Sequence, residues 1–340
     1  TVSVKYLVEK TSVAQEILSE FFKNINFDQH KKINQLVNEL RREAEDSLIS
    51  SGNMFALSMA ESGRSWGLSL LEKIHGITAI EFIKTLNVDD AIEKLKLIHT
   101  SVMGKQGLIL GFGVSDFDKD PASYISMLIE CVPDPSNTNG KNSTSFKPYK
   151  LEEEVEISAD INFIAKSYDL NLVGYRFSGI NYIVDRILTL DYLWQKVRVD
   201  GGAYGVSGRI DKLRGFLSMS SYRDPNIEKT IQAFDNFFDF ISSLELSLST
   251  LDGYKIAAIS TFDPYLRADS LVNTIFYRYL QNIDTETRNK IRNDILTATP
   301  NSIKNVFGVG KDSNELKHLV TKNSNSVVLK SNLKRPGIIN

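Results

Sequence analysis

The sequence predicts an α+β protein, on three observations. Apolar residues recur at helical spacing through most of the chain. Two short strand-like runs, Ala203 to Ile210 and Gly215 to Tyr222, are separated by a short reversal, which favours antiparallel pairing. Between them and the N-terminal helices lies a polar stretch rich in turn residues. A chain of 340 residues is too long for one ordinary core, so two domains are expected.

Residues 1 to about 132 read as helices with one late strand. Ile17, Leu18, Phe21 and Phe22 form one stripe, and Ile33, Leu36, Val37, Leu40, Ala44 and Leu48 a longer one. Gln106 to Val114, centred on Leu108-Ile109-Leu110, reads as a buried strand, and Ala122 to Cys131 returns to a helical period. Residues 133–150 carry three prolines, one glycine and many Asn/Ser/Thr, and read as a linker. The second domain, 151–340, opens with alternation from Val155 to Phe163, a half-buried strand pattern. A helix is expected from about Ile180 to Val197, then a Gly201-Gly202 turn and the strand pair. Asp224-Pro225 reads as N-cap and first helical residue of the next helix, whose inner face carries Ile227, Ile231, Phe234, Phe238 and Ile241. Further helices are expected over Leu246–Ser260, Leu266–Leu280 and Glu286–Thr297.

Lys+Arg is 40 and Asp+Glu 42, a net charge of -2, so no basic excess points to nucleic acid. No apolar run approaches the ~20 residues of a membrane span. Cys131 is the single cysteine, which forms no internal disulfide and fits a reducing intracellular compartment. Its apolar neighbours mark it as a buried hydrophobe. The Asn142-Ser143-Thr144 sequon lies in an asparagine-rich linker, where chance explains it.

The chain lacks a complete catalytic constellation of its own. His30, His75, His99 and His318 are far apart, and none forms a helical pair of zinc ligands. No G-x-S-x-G elbow is present. Gly308-Val309-Gly310-Lys311 lacks the earlier glycine of a phosphate loop and is followed by Asp312, so it reads as a turn. Gly111-Phe112-Gly113 lacks the third glycine of a dinucleotide fingerprint. What remains is Tyr192 to Gly205, where an apolar helix ends at Arg198, turns at Gly201-Gly202, and reaches Tyr204. Such a turn can set a cation and a phenol beside a peptide carbonyl. Spacing alone leaves open that Arg198 caps helix carbonyls and that Tyr204 covers a sheet edge.

The Leu-Trp-x-x-Val-Arg-Val-x-Gly-Gly-Ala-Tyr-Gly core of this stretch resembles the C-terminal half of the presequence protease and falcilysin branch of the pitrilysin/insulinase superfamily of zinc metallopeptidases. Ser221-Tyr222-Arg223-Asp224-Pro225-Asn226 is similar to the next landmark, with Thr230 in the helix after it. Ile161 to Lys166 and Gly174-Tyr175 resemble the preceding strands, and Arg288 with Arg292 to Leu296 the late helices. Ser51-Gly52-Asn53 and Ala60-Glu61-Ser62 match more loosely.

The resemblance implies two pitrilysin-like domains, each an antiparallel sheet packed against helices, with the first (1–132) incomplete. It implies that zinc, bound through H-x-x-E-H, sits on an N-terminal catalytic half absent from this chain, and that no cofactor is held here. This chain would be the metal-free half, contributing Arg198 and Tyr204 to the carbonyl of an extended oligopeptide, with Gly201 and Gly202 permitting close approach and Asn162 on the chamber wall. Arg223 and Asp224 would be a local ion pair and helix cap. The isolated chain would not hydrolyse peptides. The alternative is a non-catalytic structural paralogue or a peptide-binding subunit of the same superfamily.

Overall fold

The computed structural model describes residues 1–113, 121–134, 145–307 and 313–332. The Asn142 sequon, most of the linker and the Gly308 loop lie outside the described residues. Packing divides the chain into two units: residues 1–40, 84–144 and 265–284, and residues 41–83, 145–264 and 285–340.

In chain order the elements begin with α1 (Thr11–Lys23), α2 (His30–Ser50), α3 (Gly52–Ser62), α4 (Trp66–His75), α5 (Ile77–Thr85), α6 (Val88–Val102) and α7 (Pro121–Cys131). Strands β1 (Glu152–Ile157) and β2 (Asn162–Asp169) follow, then α8 (Ile180–Arg186) and a π-helix (Ile187–Val199). After β3 (Gly205–Asp211) and β4 (Phe216–Asp224) come α9 (Ile227–Ser243), α10 (Leu248–Phe262), α11 (Ala268–Leu280), α12 (Thr285–Leu296), α13 (Pro300–Lys304), α14 (Ser313–Lys322) and β5 (Asn325–Ser331).

The first unit is helical among its described residues. Ala14 and Leu18 are buried on α1, Ala91 and Ile92 on α6, and Cys131 ends α7 fully buried. The stretch 108–113, expected as a strand, is irregular. A strand needs a partner ladder, and no described residue of this unit supplies one.

The second unit contains one five-stranded sheet in the order β1-β5-β2-β4-β3. Ladders β5–β2, β2–β4 and β4–β3 are antiparallel, but β1 pairs with β5 in parallel, so the sheet is mixed rather than antiparallel throughout. Val155 to Phe163 is not one strand. Bends at 158–161 separate β1 from β2, and β5 lies between them.

One face of the sheet is covered by α3, which belongs with the sheet although it precedes the expected boundary at 133–150. Its small residues permit the approach: Ala56 and Ala60 are fully buried beside Phe163, Ala165, Val327 and Leu329. A Cβ on Gly52 would stand 2.3 Å from the Phe163 ring. On the same helix the buried Glu61 accepts two hydrogen bonds from Arg209 Nη2, at 2.8 and 2.9 Å. The other face packs on α8, the π-helix, α9, α12, α13 and α14, in a core built around Ile164, Tyr168, Leu217, Met219 and Val328. Phe234, Phe238 and Ile241 of α9 are buried there as expected, with Ile227 and Ile231 packed against them. With both faces covered, β2 is buried almost from end to end. Lys166 is held on it by both oxygens of Asp235, at 2.6 and 2.8 Å, and Tyr168 donates to the same carboxylate at 2.8 Å.

Strand β3 forms one border of the sheet. Its outward-facing groups are met by neighbouring side chains: Asp185 of α8 accepts from Ile210 N at 2.8 Å, and Thr189 of the π-helix donates to Gly208 O at 3.1 Å.

Candidate functional site

The π-helix carries Leu193 and Val197 into the core, fully buried, which fixes the rotation of its outer face. On that outer face Trp194 is 45% exposed and Arg198 half-buried. The Arg198 guanidinium carbon lies 3.8 Å from the centre of the Trp194 ring, a close cation–π stack. Among the described residues the guanidinium makes no hydrogen bond or ion pair.

The helix ends in a widened Schellman-type closure. Gly202 N donates to Arg198 O at 2.9 Å, and Ala203 N donates to Val197 O at 3.1 Å. The path requires Gly202 at φ +80°, the left-handed region open to glycine. At Gly201 a Cβ would lie 2.5 Å from Val197 O, so only glycine fits against the last turn. Ala203, buried, anchors the far side.

Tyr204 then enters β3. Its backbone N donates to Tyr222 O at 3.1 Å and to Arg223 O at 3.3 Å. Its ring is 69% exposed and meets the Tyr222 ring edge to face, with centres 6.0 Å apart. The phenol oxygen has no partner among the described residues. Arg198 and Tyr204 thus hang from one braced turn, each with its polar end unspent.

The brace comes from the Ser221 to Asn226 box. Asn226 Nδ2 donates to Gly201 O at 2.6 Å. Asp224, fully buried, accepts from Asn226 N at 2.8 Å and from the Thr230 hydroxyl at 2.7 Å. It is the last residue of β4, not the N-cap of α9. Asn226 holds the cap position, Pro225 lies outside the helix, and the Asp224 carboxylate caps from two residues upstream. The expected Arg223–Asp224 ion pair is absent, because that carboxylate is already committed. Asn162 is committed too: its Nδ2 donates to Asp224 O at 2.9 Å and its Oδ1 accepts from Ser331 N at 3.0 Å. It joins β2 to its neighbours and offers no free group from its 7%-exposed side chain.

Tyr222 and Arg223, not singled out as binding groups by spacing, are continuous with Tyr204 through ring contacts. A groove of about 360 Å³ between the π-helix and α9, lined by Tyr192, Lys196, Asp200, Lys229 and Asn236 among others, lies on the same helix but includes neither Arg198 nor Tyr204. Burial pushes the Tyr192 phenol up, with Asp239 and Asp235 acting in the same direction, so that tyrosine is a neutral donor to Ala233 O.

No described group of His, Cys, Asp or Glu is arranged to hold a metal. His30 faces Asp89, and His99 packs on Phe27. These residues do not fit a zinc centre, and no chemical step through zinc is drawn on this chain.

Residues 152–325, just over half of the chain, match the family described as the PreP C-terminal domain, and residues 1–86 match a family described as associated with the M16 peptidases of subfamily C. Protein HypA of Clostridium perfringens is 26% identical over 92% of this chain and 32% of that protein. Presequence protease 1, chloroplastic/mitochondrial, of Arabidopsis thaliana is 27% identical over 85% of this chain and 27% of that protein. The chain therefore spans about a third or less of these relatives. A solved M16 peptidase inactive domain from Pseudomonas fluorescens shares the fold at TM-score 0.65, with 12% identity, over 96% of this chain and 76% of that one.

Proposed function

The chain belongs to the PreP C-terminal domain family, and from that premise we propose that it is the peptide-gripping half of a zinc metalloendopeptidase acting on unstructured oligopeptides. The observation that carries this reading is the pair of unspent polar ends on one turn: Arg198, propped by Trp194, and the exposed Tyr204.

A peptide carbonyl under attack develops negative charge on its oxygen. Tyr204 donates its phenol proton into a hydrogen bond to that oxygen, and Arg198 holds a neighbouring carbonyl of the same backbone. Both donors are set in place by the helix closure and the Asn226 brace before substrate arrives, so little reorganisation accompanies the reaction. The zinc, the water it activates and the proton acceptor belong to a catalytic half outside these residues, and the chain alone is inactive. The compartment that fits a lone buried cysteine is a reducing one.

The test is turnover in the complete protein. Tyr204→Phe and Arg198→Ala are each expected to lower it at least tenfold, within the ~10²–10³ associated with losing one preorganised donor, while zinc content stays unchanged. Unchanged turnover in both variants removes the assignment. An upstream segment whose H-x-x-E-H motif is degenerate makes the protein a structural paralogue instead.

A further inference from the structure

The register of the sheet changes beside Tyr204. Asn162 of β2 pairs with Asp224, and Ile164 pairs with Ser221, so two steps on β2 oppose three on β4. The extra residue is a β-bulge, a device that re-aims side chains. Arg223 sits in it with φ +52°, one of two non-glycine residues among those described with positive φ. An arginine gains nothing there over asparagine or glycine, so the backbone carries strain that surrounding contacts maintain. Those contacts are Asn162 Nδ2 on Asp224 O, the two bonds to the Asp224 carboxylate, and Tyr204 N on Arg223 O.

The re-aimed side chain is exposed and turned towards the tyrosines. Its Nε donates to the Tyr222 hydroxyl at 3.2 Å, with the guanidinium carbon 5.4 Å from that ring's centre, and the Tyr222 ring in turn abuts Tyr204. Fixing Nε leaves the two terminal nitrogens as a fork. Among the described residues no carboxylate pairs with it: Asp224 is spent, and no other acid bonds to it.

We propose that Arg223 is a specificity residue that recognises a carboxylate of the peptide held at Tyr204. A planar fork with no acid of its own matches a carboxylate in two parallel bonds, whether that carboxylate is an acidic side chain or a free C-terminus. The proposal rests on the Arg198/Tyr204 reading and adds to it a preference for anionic peptides.

The experiment uses this chain with Trp66→Phe, which leaves Trp194, stacked under Arg198, as the sole indole reporter. Three extended peptides of one sequence are titrated at low ionic strength. One carries an internal glutamate and an amidated end, one glutamine and an amidated end, and one glutamine and a free C-terminal carboxylate. The expected result is that at least one carboxylate peptide binds about three- to fivefold tighter than the neutral one, a preference that shrinks at high salt. Which peptide gains identifies the source of the carboxylate. Arg223→Gly suits the positive φ, keeps the bulge, and is expected to abolish the preference with neutral-peptide affinity unchanged. Arg223→Lys is expected to retain part of it. Equal binding of all three peptides, a preference surviving in Arg223→Gly, or an equal loss for neutral and charged peptides overturns the proposal and leaves the Arg198/Tyr204 reading standing. Failure of every peptide to bind overturns both.

Discussion

Gly202→Ala isolates what the helix closure contributes. The Cβ it adds would lie 3.5 Å from Pro225 Cγ, an ordinary contact, so crowding adds nothing to the cost. What remains is the backbone: φ +80° is left-handed, worth about 1–2 kcal/mol against an L residue. Alanine recovers about 0.4–1 kcal/mol by stiffening the unfolded chain, so a net loss of about 1 kcal/mol is expected. In urea, with m of about 1–3 kcal/mol/M, the midpoint falls by roughly 0.3–1 M. Gly202→Asn should lose less, because asparagine tolerates this region. Gly201→Ala should lose more, because its Cβ meets the Val197 and Lys196 carbonyl oxygens at 2.5 and 3.2 Å. The order Gly201→Ala, Gly202→Ala, Gly202→Asn, followed by urea unfolding, is the signature of the closure. Peptide affinity should fall in the same order, since Arg198 and Tyr204 both depend on this turn. A Gly202→Ala midpoint equal to that of the parent, or equal losses for alanine and asparagine, refutes the reasoning.

Asp235→Ala strips the acceptor from Lys166, whose side chain is 8% exposed, and from the fully buried Tyr168 hydroxyl. A loss of about 3–5 kcal/mol is expected by denaturant unfolding. The double variant Lys166→Met/Asp235→Leu should recover much of it, and a single-variant loss below about 1 kcal/mol contradicts the description of the pair. Burial pushes the Asp185 carboxyl above its ordinary value, against the opposing pull of the Lys212 ammonium. A raised folded pKa gives a contribution fully present below the unfolded value of about 3.9 and lost as pH rises through the folded one. Carboxyl NMR should find Asp185 titrating above the ordinary range, and higher still in Lys212→Met, where the opposing charge is gone. A titration at or below the ordinary value would contradict the burial argument.

The features legible in the sequence are those whose causes lie close together along it. The closure from Val197 to Tyr204 spans eight residues, and a helix end, two glycines and a strand start announce it. The stripe on α9 reads correctly because one face alone meets the core. The features that escaped depend on residues far apart. Nothing near Val155 signals that β5, more than 160 residues later, enters between β1 and β2. The alternation that suggested a half-buried strand ends where α3 closes the second face, so Lys166 and Ser167 are buried against pattern. Asn162 is polar on a strand, which fits a wall residue and a cross-strand tie equally. Only its two partners separate the readings. Arg223 was hidden because a bulge is a property of two strands' register, and one strand's sequence does not state it.

The border strand has a practical consequence for how far a visitor could travel. A second backbone laid beside β3 from Tyr204 would find open partners only as far as Val206. At Gly208 and Ile210 the positions it needs are already taken by Thr189 and Asp185. A guest chain must therefore turn away within a few residues of the phenol, so the rim admits a short stretch of peptide and refuses a sixth full strand.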